Sequence, residues 1–152
     1  MNTTKKTFAD LLEELNICKD AREWAANKTR EEVYNTCPRG DWMLWLFKRT
    51  NPDDIKLRFL VKGHCANTVR YLMKDERSIK AIDAAIVFGN GEITDKELAA
   101  YAAAADAYAA AYAAAYAATA AAYDDAAAAR RQNQMATADI CRKYLPIEIW
   151  NI

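Results

Sequence analysis

The stretch AAYAAAADAYAAAYAAAYAATAAAYDDAAAARR, residues 99–131, decides the fold class of this 152-residue chain. Alanine, the residue with the highest helix propensity, makes up 22 of the 32 residues from 98 to 129. No glycine or proline interrupts the following sequence before Pro146. We therefore expect one long helix over about residues 95–145, with a kink or break near residues 130–134 as the competing interpretation.

Five tyrosines divide the alanines at spacings of seven, four, four and seven residues. They are Tyr101, Tyr108, Tyr112, Tyr116 and Tyr123. At 100° per residue these side chains fall within an arc of roughly 80°, so they form a single stripe. The stripe predicts a packing seam against the N-terminal helices. The alternative is a partner-binding surface, because tyrosine is enriched in interface hot spots, and its candidate residues are Tyr108, Tyr112 and Tyr116.

Residues 1–92 predict a series of short helices. Thr7 is a plausible N-cap, and Thr29 and Thr94 each begin a capping box with a glutamate three residues later. The segment that begins at Ile55 alternates at first like a strand, but its apolar residues also follow one helical face and no partner strand is evident. We therefore expect an all-α, single-domain helical bundle. Its parts are short helices in residues 1–92, the long helix in 93–145 and a tail in 146–152.

Amino-acid composition limits the classes of partner and the cellular compartment that we expect for this chain. Twenty-one basic and 21 acidic residues balance, so no overall positive field favours nucleic acid or an anionic membrane. Asp106 lies inside the alanine-rich run, which argues against a membrane span. The four cysteines form no CxxC pair and follow no signal peptide. We therefore expect reduced, buried thiols in a cytoplasmic protein.

No motif in the sequence predicts an enzyme. His64 adjoins Cys65, but neighbouring helical side chains point about 100° apart, so the pair makes a poor nucleophile site. The segment GNGEITDKEL resembles the second half of a calcium loop, but Ile86 and Phe88 would occupy the first ligand positions and offer no oxygen. The expectation is a protein with no catalytic residues, no metal and no cofactor.

The segment RGDWMLWLFKR contains the other candidate site. We expect Asp41 to cap a helix that is apolar all round and buried near the domain centre, with Trp42 and Trp45 on one face. A surface anchor is the alternative role for the tryptophans. The candidate partner-binding residues in this segment are Arg39, Asp41, Trp45 and Arg49.

The order of these segments resembles a known family. ICKDAREWA, then a capped helix that ends in a cysteine, then RGDWMLWL, resembles the opening of the Imm-five-like predicted immunity proteins of bacterial polymorphic-toxin systems, which have relatives in phages. The likeness continues through IKAIDAA, GNGEIT, the Ala/Tyr tract and ADICRKYLP, and it covers about residues 17–146. Pro38 departs from the family pattern, in which acidic residues are common before the arginine.

The resemblance implies a small cytosolic α-helical protein, bacterial or phage-encoded, that acts by binding a protein partner. The function expected from it is neutralisation of a toxin or effector by occlusion, with no catalytic residue carried over. The alternative is a structural or self-associating helical protein, such as a phage particle component, that forms a homo-oligomer.

Overall fold

The computed structural model describes residues 5–68, 70–72, 76–94, 96–97 and 126–150. Within these ranges there are seven α-helices and no strand, so the prediction of an all-α bundle is confirmed. The helices are α1 Phe8–Glu14, α2 Lys19–Ala25, α3 Arg30–Thr36, α4 Gly40–Thr50, α5 Ile55–Asn67, α6 Glu76–Gly89 and α7 Ala126–Tyr144. None of the helices in the described ranges has both the length and the apolar character needed to cross a membrane.

The N-terminal helices begin where the capping residues predict. Thr7 Oγ1 accepts from the Asp10 amide at 3.1 Å, and the Asp10 carboxylate accepts from the Thr7 amide at 2.8 Å. Thr29 and Glu32 form the same reciprocal pair at 3.2 and 3.1 Å. Each box satisfies backbone donors that a helix start leaves without intrahelical partners. The sequence therefore fixes the starts of α1 and α3 locally.

The ambiguous segment forms helix α5 over Ile55–Asn67, so the prediction of a helix and not a strand is confirmed there, and Arg70–Leu72 form a 3-10 turn. Asp54 caps α5 by accepting from the Leu57 amide at 3.2 Å. The helix then packs closely on α6: a β-carbon added to Gly89 would lie 2.6 Å from the Leu60 Cα. Glycine at the end of α6 thus allows the two backbones to approach.

Helices α4, α5 and α7 pack against one another at the centre of the molecule, and α6 covers α5. One buried cluster joins helices α1 to α5, helix α7 and the residues that follow α7. Its members are Leu12, Ala25, Val33, Cys37, Met43, Leu46, Phe47, Val61, Cys65, Ala138, Cys141, Leu145 and Trp150. Burial of this apolar surface supplies the main driving force for folding.

The predicted tail, residues 146–152, is packed on the helices where the structure describes it. Residues Ile147–Ile149 form a 3-10 turn, and Trp150 is only 1% exposed. Its ring meets Tyr34 edge-on, with 5.4 Å between the ring centroids. Tyr34 Oη donates to the carbonyl oxygens of Arg142 at 3.0 Å and Leu145 at 2.5 Å. Helix α3 therefore holds the end of α7 and the segment after it.

The described part of the predicted long helix is α7. It runs without interruption through residues 130–134, so a break there is not observed. Lys96 and Glu97 are helical, and the Glu97 amide donates to Thr94 Oγ1 at 3.2 Å, as the second predicted capping box requires. The remainder of the predicted helix, with the five-tyrosine stripe, lies outside the described residues.

Candidate functional site

Helix α4 has two sharply different faces. Met43, Leu46 and Phe47 are buried against the centre, with 4% exposure or less. The opposite face spans an arc of roughly 120° and carries polar and aromatic side chains at helical spacing. Its residues are Asp41, Trp42, Trp45, Lys48 and Arg49.

The prediction of a helix buried all round was therefore wrong for the two tryptophans. Trp42 and Trp45 are half-buried at the edge of the core and reach the surface. One side of α4 packs on α7, while the tryptophan side borders α2 and keeps part of its surface exposed.

The prediction that Asp41 is the N-cap was also wrong. Helix α4 begins at Gly40, with Arg39 as the cap residue and no side-chain capping bond. Asp41 instead pairs with the Arg39 guanidinium: Nε donates at 3.1 Å and Nη2 at 2.6 Å to its two carboxylate oxygens. This bidentate bond raises the pKa of Arg39 and explains why the carboxylate does not turn back to the helix start.

Arg39 is held on a second side by an aromatic ring. Its guanidinium carbon lies 4.5 Å from the centroid of the Trp42 ring, within the range of a cation–π interaction. The Arg39 side chain keeps 31% of its surface exposed and the Asp41 side chain 58%. The pair is therefore ordered and still accessible.

A concave surface, which we call the tryptophan cleft, lies between the start of α2 and the exposed face of α4. Its volume is about 240 Å3, and it is lined by Ile17, Cys18, Arg39, Asp41, Trp42 and Trp45. Trp24 extends the aromatic surface, with 6.0 Å between its ring centroid and that of Trp42. The cleft thus combines an apolar floor with a charged rim.

Arg49 adds a second stacked cation beside the cleft. Its guanidinium carbon lies 5.2 Å from the Trp45 ring centroid, one helical turn along α4. Four of the predicted binding residues, Arg39, Asp41, Trp45 and Arg49, therefore lie on one surface. Tyr108, Tyr112 and Tyr116 lie outside the described residues.

Sequence reasoning missed two lining residues, Ile17 and Cys18. They precede α2, and only tertiary packing brings them beside α4. Cys18 is exposed, so the prediction that all four thiols are buried was wrong at this position. No local pattern distinguishes Cys18 from the other cysteines.

The other three cysteines are buried and free: Cys37, Cys65 and Cys141. Burial raises the pKa of the Cys37 thiol. A hydrogen bond with the Cys65 side chain, together with burial, raises the pKa of Cys141. Because the thiolate is the reactive form, the thiols of Cys37 and Cys141 are poor nucleophiles.

His64 and Cys65 do not form a nucleophile pair. The His64 ring stacks on Tyr144, with 4.5 Å between centroids and 9° between planes. The Cys65 thiol faces the Thr137 carbonyl oxygen at 3.9 Å. Burial, and secondarily Lys143, lowers the pKa of His64 and favours the neutral ring. In the described part of the chain, no group of three or more His, Cys, Asp or Glu side chains could hold a metal ion.

The arrangement at the cleft is suited to recognition of a surface. It offers flat aromatic rings, positioned guanidinium groups and one accessible carboxylate, that of Asp41, all on adjacent secondary structure. Comparison of the chain with protein-family models, curated proteins and solved structures finds no match. The resemblance to immunity proteins therefore stays a prediction.

Proposed function

We propose that this protein binds a protein partner through the tryptophan cleft and acts by covering a functional surface of that partner. The observation that carries the proposal is the pair of half-buried tryptophans on one face of α4, each with an arginine over its ring. Tryptophan and arginine are the residues most enriched in interface hot spots. Their concentration at a concave surface favours protein recognition.

The preordered state of Arg39 supports the same conclusion. Its guanidinium is fixed by Asp41 on one side and by Trp42 on the other before any partner arrives. Binding loses affinity when flexible side chains must be immobilised at the interface. An arginine that is already held loses less rotamer freedom on binding, so it is a suitable anchor.

The class of partner comes from the sequence resemblance to immunity proteins. That resemblance supports a toxin or effector as the partner, and occlusion within the bacterial cytoplasm as the mode of action. The protein itself performs no reaction in this proposal. The cleft provides contact area and charge, and the partner is neutralised because its working surface is covered.

The test is capture of a partner from the native cell with matched variants of this protein. Wild type, Trp45→Ala and Tyr71→Ala are used as baits, and the retained protein is then purified and assayed for its own activity. Tyr71 is a matched control because it is an aromatic residue that is 76% exposed outside the cleft.

We expect Trp45→Ala to weaken binding by about 30-fold or more, as for a hot-spot residue, and Tyr71→Ala to leave it unchanged. The captured protein should lose activity in proportion to the bound fraction of wild type. Undiminished binding by Trp45→Ala would contradict the proposal. If the wild type instead self-associates through the cleft and binds no other protein, the alternative of a structural, self-associating helical protein would replace the proposal.

A further inference from the structure

A group of basic side chains lies next to the tryptophan cleft, where the end of α4 meets α5. Lys48 and Arg49 occupy the last turn of α4, and Arg58 and Lys62 stand four residues apart on α5. Positions i and i+4 share one helical face. We call these four residues the basic surface.

Three members of the basic surface have no acidic partner within the described chain. Seven ion pairs are formed there, and none involves Lys48, Arg49 or Arg58. The one carboxylate at the start of α5 with a defined role, that of Asp54, accepts from the Leu57 amide. Among the described residues, these three side chains therefore form no ion pair, although Asp53 and Asp54 lie in the turn between α4 and α5.

The charges of Arg58 and Lys48 act on Lys62. Burial lowers the pKa of Lys62, and the charges of Arg58 and Lys48 lower it further. An anion bound near these three side chains would relieve that repulsion. Lys48 and Arg49 also complement the negative end of the α4 dipole, but this explains neither Arg58 nor Lys62.

The basic surface is continuous with the cleft. Arg49 belongs to the basic surface and stacks on Trp45, and Trp45 lines the cleft. A partner seated on the tryptophans would therefore extend over the basic surface. Desolvation of those cations would be costly unless the partner supplied opposite charge.

We propose that the partner places an acidic, carboxylate-rich protein segment on Lys48, Arg49, Arg58 and Lys62 while an adjoining apolar part enters the tryptophan cleft. This inference rests on the proposed function and adds the chemistry of the partner. Carboxylates fit because they form bidentate bonds with guanidinium groups. Nucleic acid is the poorer fit, since the chain has no net charge and the four cations are confined to one helix junction.

The direct test uses fluorescein-labelled poly-glutamate as the probe, with a single-stranded oligonucleotide of equal charge as the competing polyanion. The variant is Arg58→Glu with Lys62→Glu. Its control is Lys56→Glu, which reverses one positive charge on α5 at a position at least about 120° away around the helix. Thermal unfolding of each variant confirms that it is folded before binding is measured by anisotropy.

We expect poly-glutamate to bind the wild type and Lys56→Glu alike, and the double charge reversal to weaken binding about tenfold or more. Added salt should weaken the wild-type interaction. Absence of poly-glutamate binding, equal loss in Lys56→Glu, or tighter binding of the oligonucleotide would each overturn the inference.

The partner captured with wild-type bait separates this inference from the proposed function. If neither Trp45→Ala nor the double charge reversal retains that partner, the proposed function and the acidic-segment inference are both supported. If only Trp45→Ala fails to retain the partner, the inference of an acidic segment is wrong and the cleft remains the binding site. Retention by both variants would overturn both proposals.

Discussion

Gly40 at the start of α4 packs so closely on Thr137 of α7 that an added β-carbon would lie 2.5 Å from the Thr137 carbonyl carbon. This backbone contact connects the functional face of α4 to the C-terminal helix. Arg39 and Asp41 flank Gly40, so the position of α7 also sets the position of the cleft rim. Cys141 extends the same seam, since its thiol faces the Gly40 carbonyl oxygen at 3.6 Å.

Gly40→Ala should destabilise the protein by about 1–3 kcal/mol, because the added methyl group meets backbone that cannot rotate away. This loss should exceed the gain of up to about 1 kcal/mol that alanine brings within a helix. Urea unfolding followed by circular dichroism measures the change. The control is Gly63→Ala, whose nearest neighbour is a side-chain atom, Ile86 Cγ1, at 2.7 Å. If Gly63→Ala loses more stability than Gly40→Ala, the close backbone contact between Gly40 and Thr137 does not have the importance expected of it.

Trp45→Ala should cost much less stability than Phe47→Ala. Phe47 is fully buried, so its truncation should cost about 3–5 kcal/mol. Trp45 already contacts water over part of its ring, and we expect a loss of about 1–2 kcal/mol. The midpoints of urea unfolding for the two variants test this order. Equal losses of stability would mean that Trp45 packs as a core residue. Trp45→Ala would then be a poor probe of binding.

Cys18 should be the single thiol that reacts rapidly in the folded protein. It is exposed, whereas Cys37, Cys65 and Cys141 are buried. Maleimide treatment followed by mass spectrometry should add one label natively and four in denaturant. In Cys18→Ser the native label should disappear. Rapid native labelling of a second cysteine would show that the core opens, and would contradict the packing described.

His64 should make stability depend on pH near neutrality. Its pKa in the folded protein lies below its ordinary value of 6.5, so the unfolded chain binds the proton more readily. The contribution of the neutral ring is therefore present above pH 6.5 and is lost as pH falls toward the folded pKa. Urea midpoints measured between about pH 7.5 and pH 5.5 should fall more in wild type than in His64→Phe. If the urea midpoint of His64→Phe falls more steeply than that of wild type, the expected direction of the His64 effect is wrong.

Local signals predicted the starts of α1 and α3 well. Thr7 and Thr29 each cap the helix that follows, because a short side-chain oxygen beside free amides acts without help from distant residues. Asp41 has the same chemistry and does not cap. The neighbouring Arg39 offers two donors to its carboxylate, and competition of this kind is not visible in a capping pattern.

The exposed face of α4 could be predicted only in part. The spacing of Trp42 and Trp45 puts them on one face, but apolar residues occur on both sides of the helix. The buried side is chosen by α7, whose Cys141 meets Gly40 across 101 residues of sequence. The basic surface could also be predicted only in part. The spacing of Arg58 and Lys62 is visible in the sequence, but their approach to Lys48 depends on how α4 and α5 pack.

Trp150 has a consequence for the order in which this chain can fold during synthesis. Its ring fills space beside Tyr34 and lines a small internal cavity with residues of α1, α2 and α4, including Leu12, Ala25 and Met43. Those helices emerge from the ribosome long before the residue that completes their packing. The packing that Trp150 completes therefore cannot form before residue 150 has been synthesised and has left the ribosome.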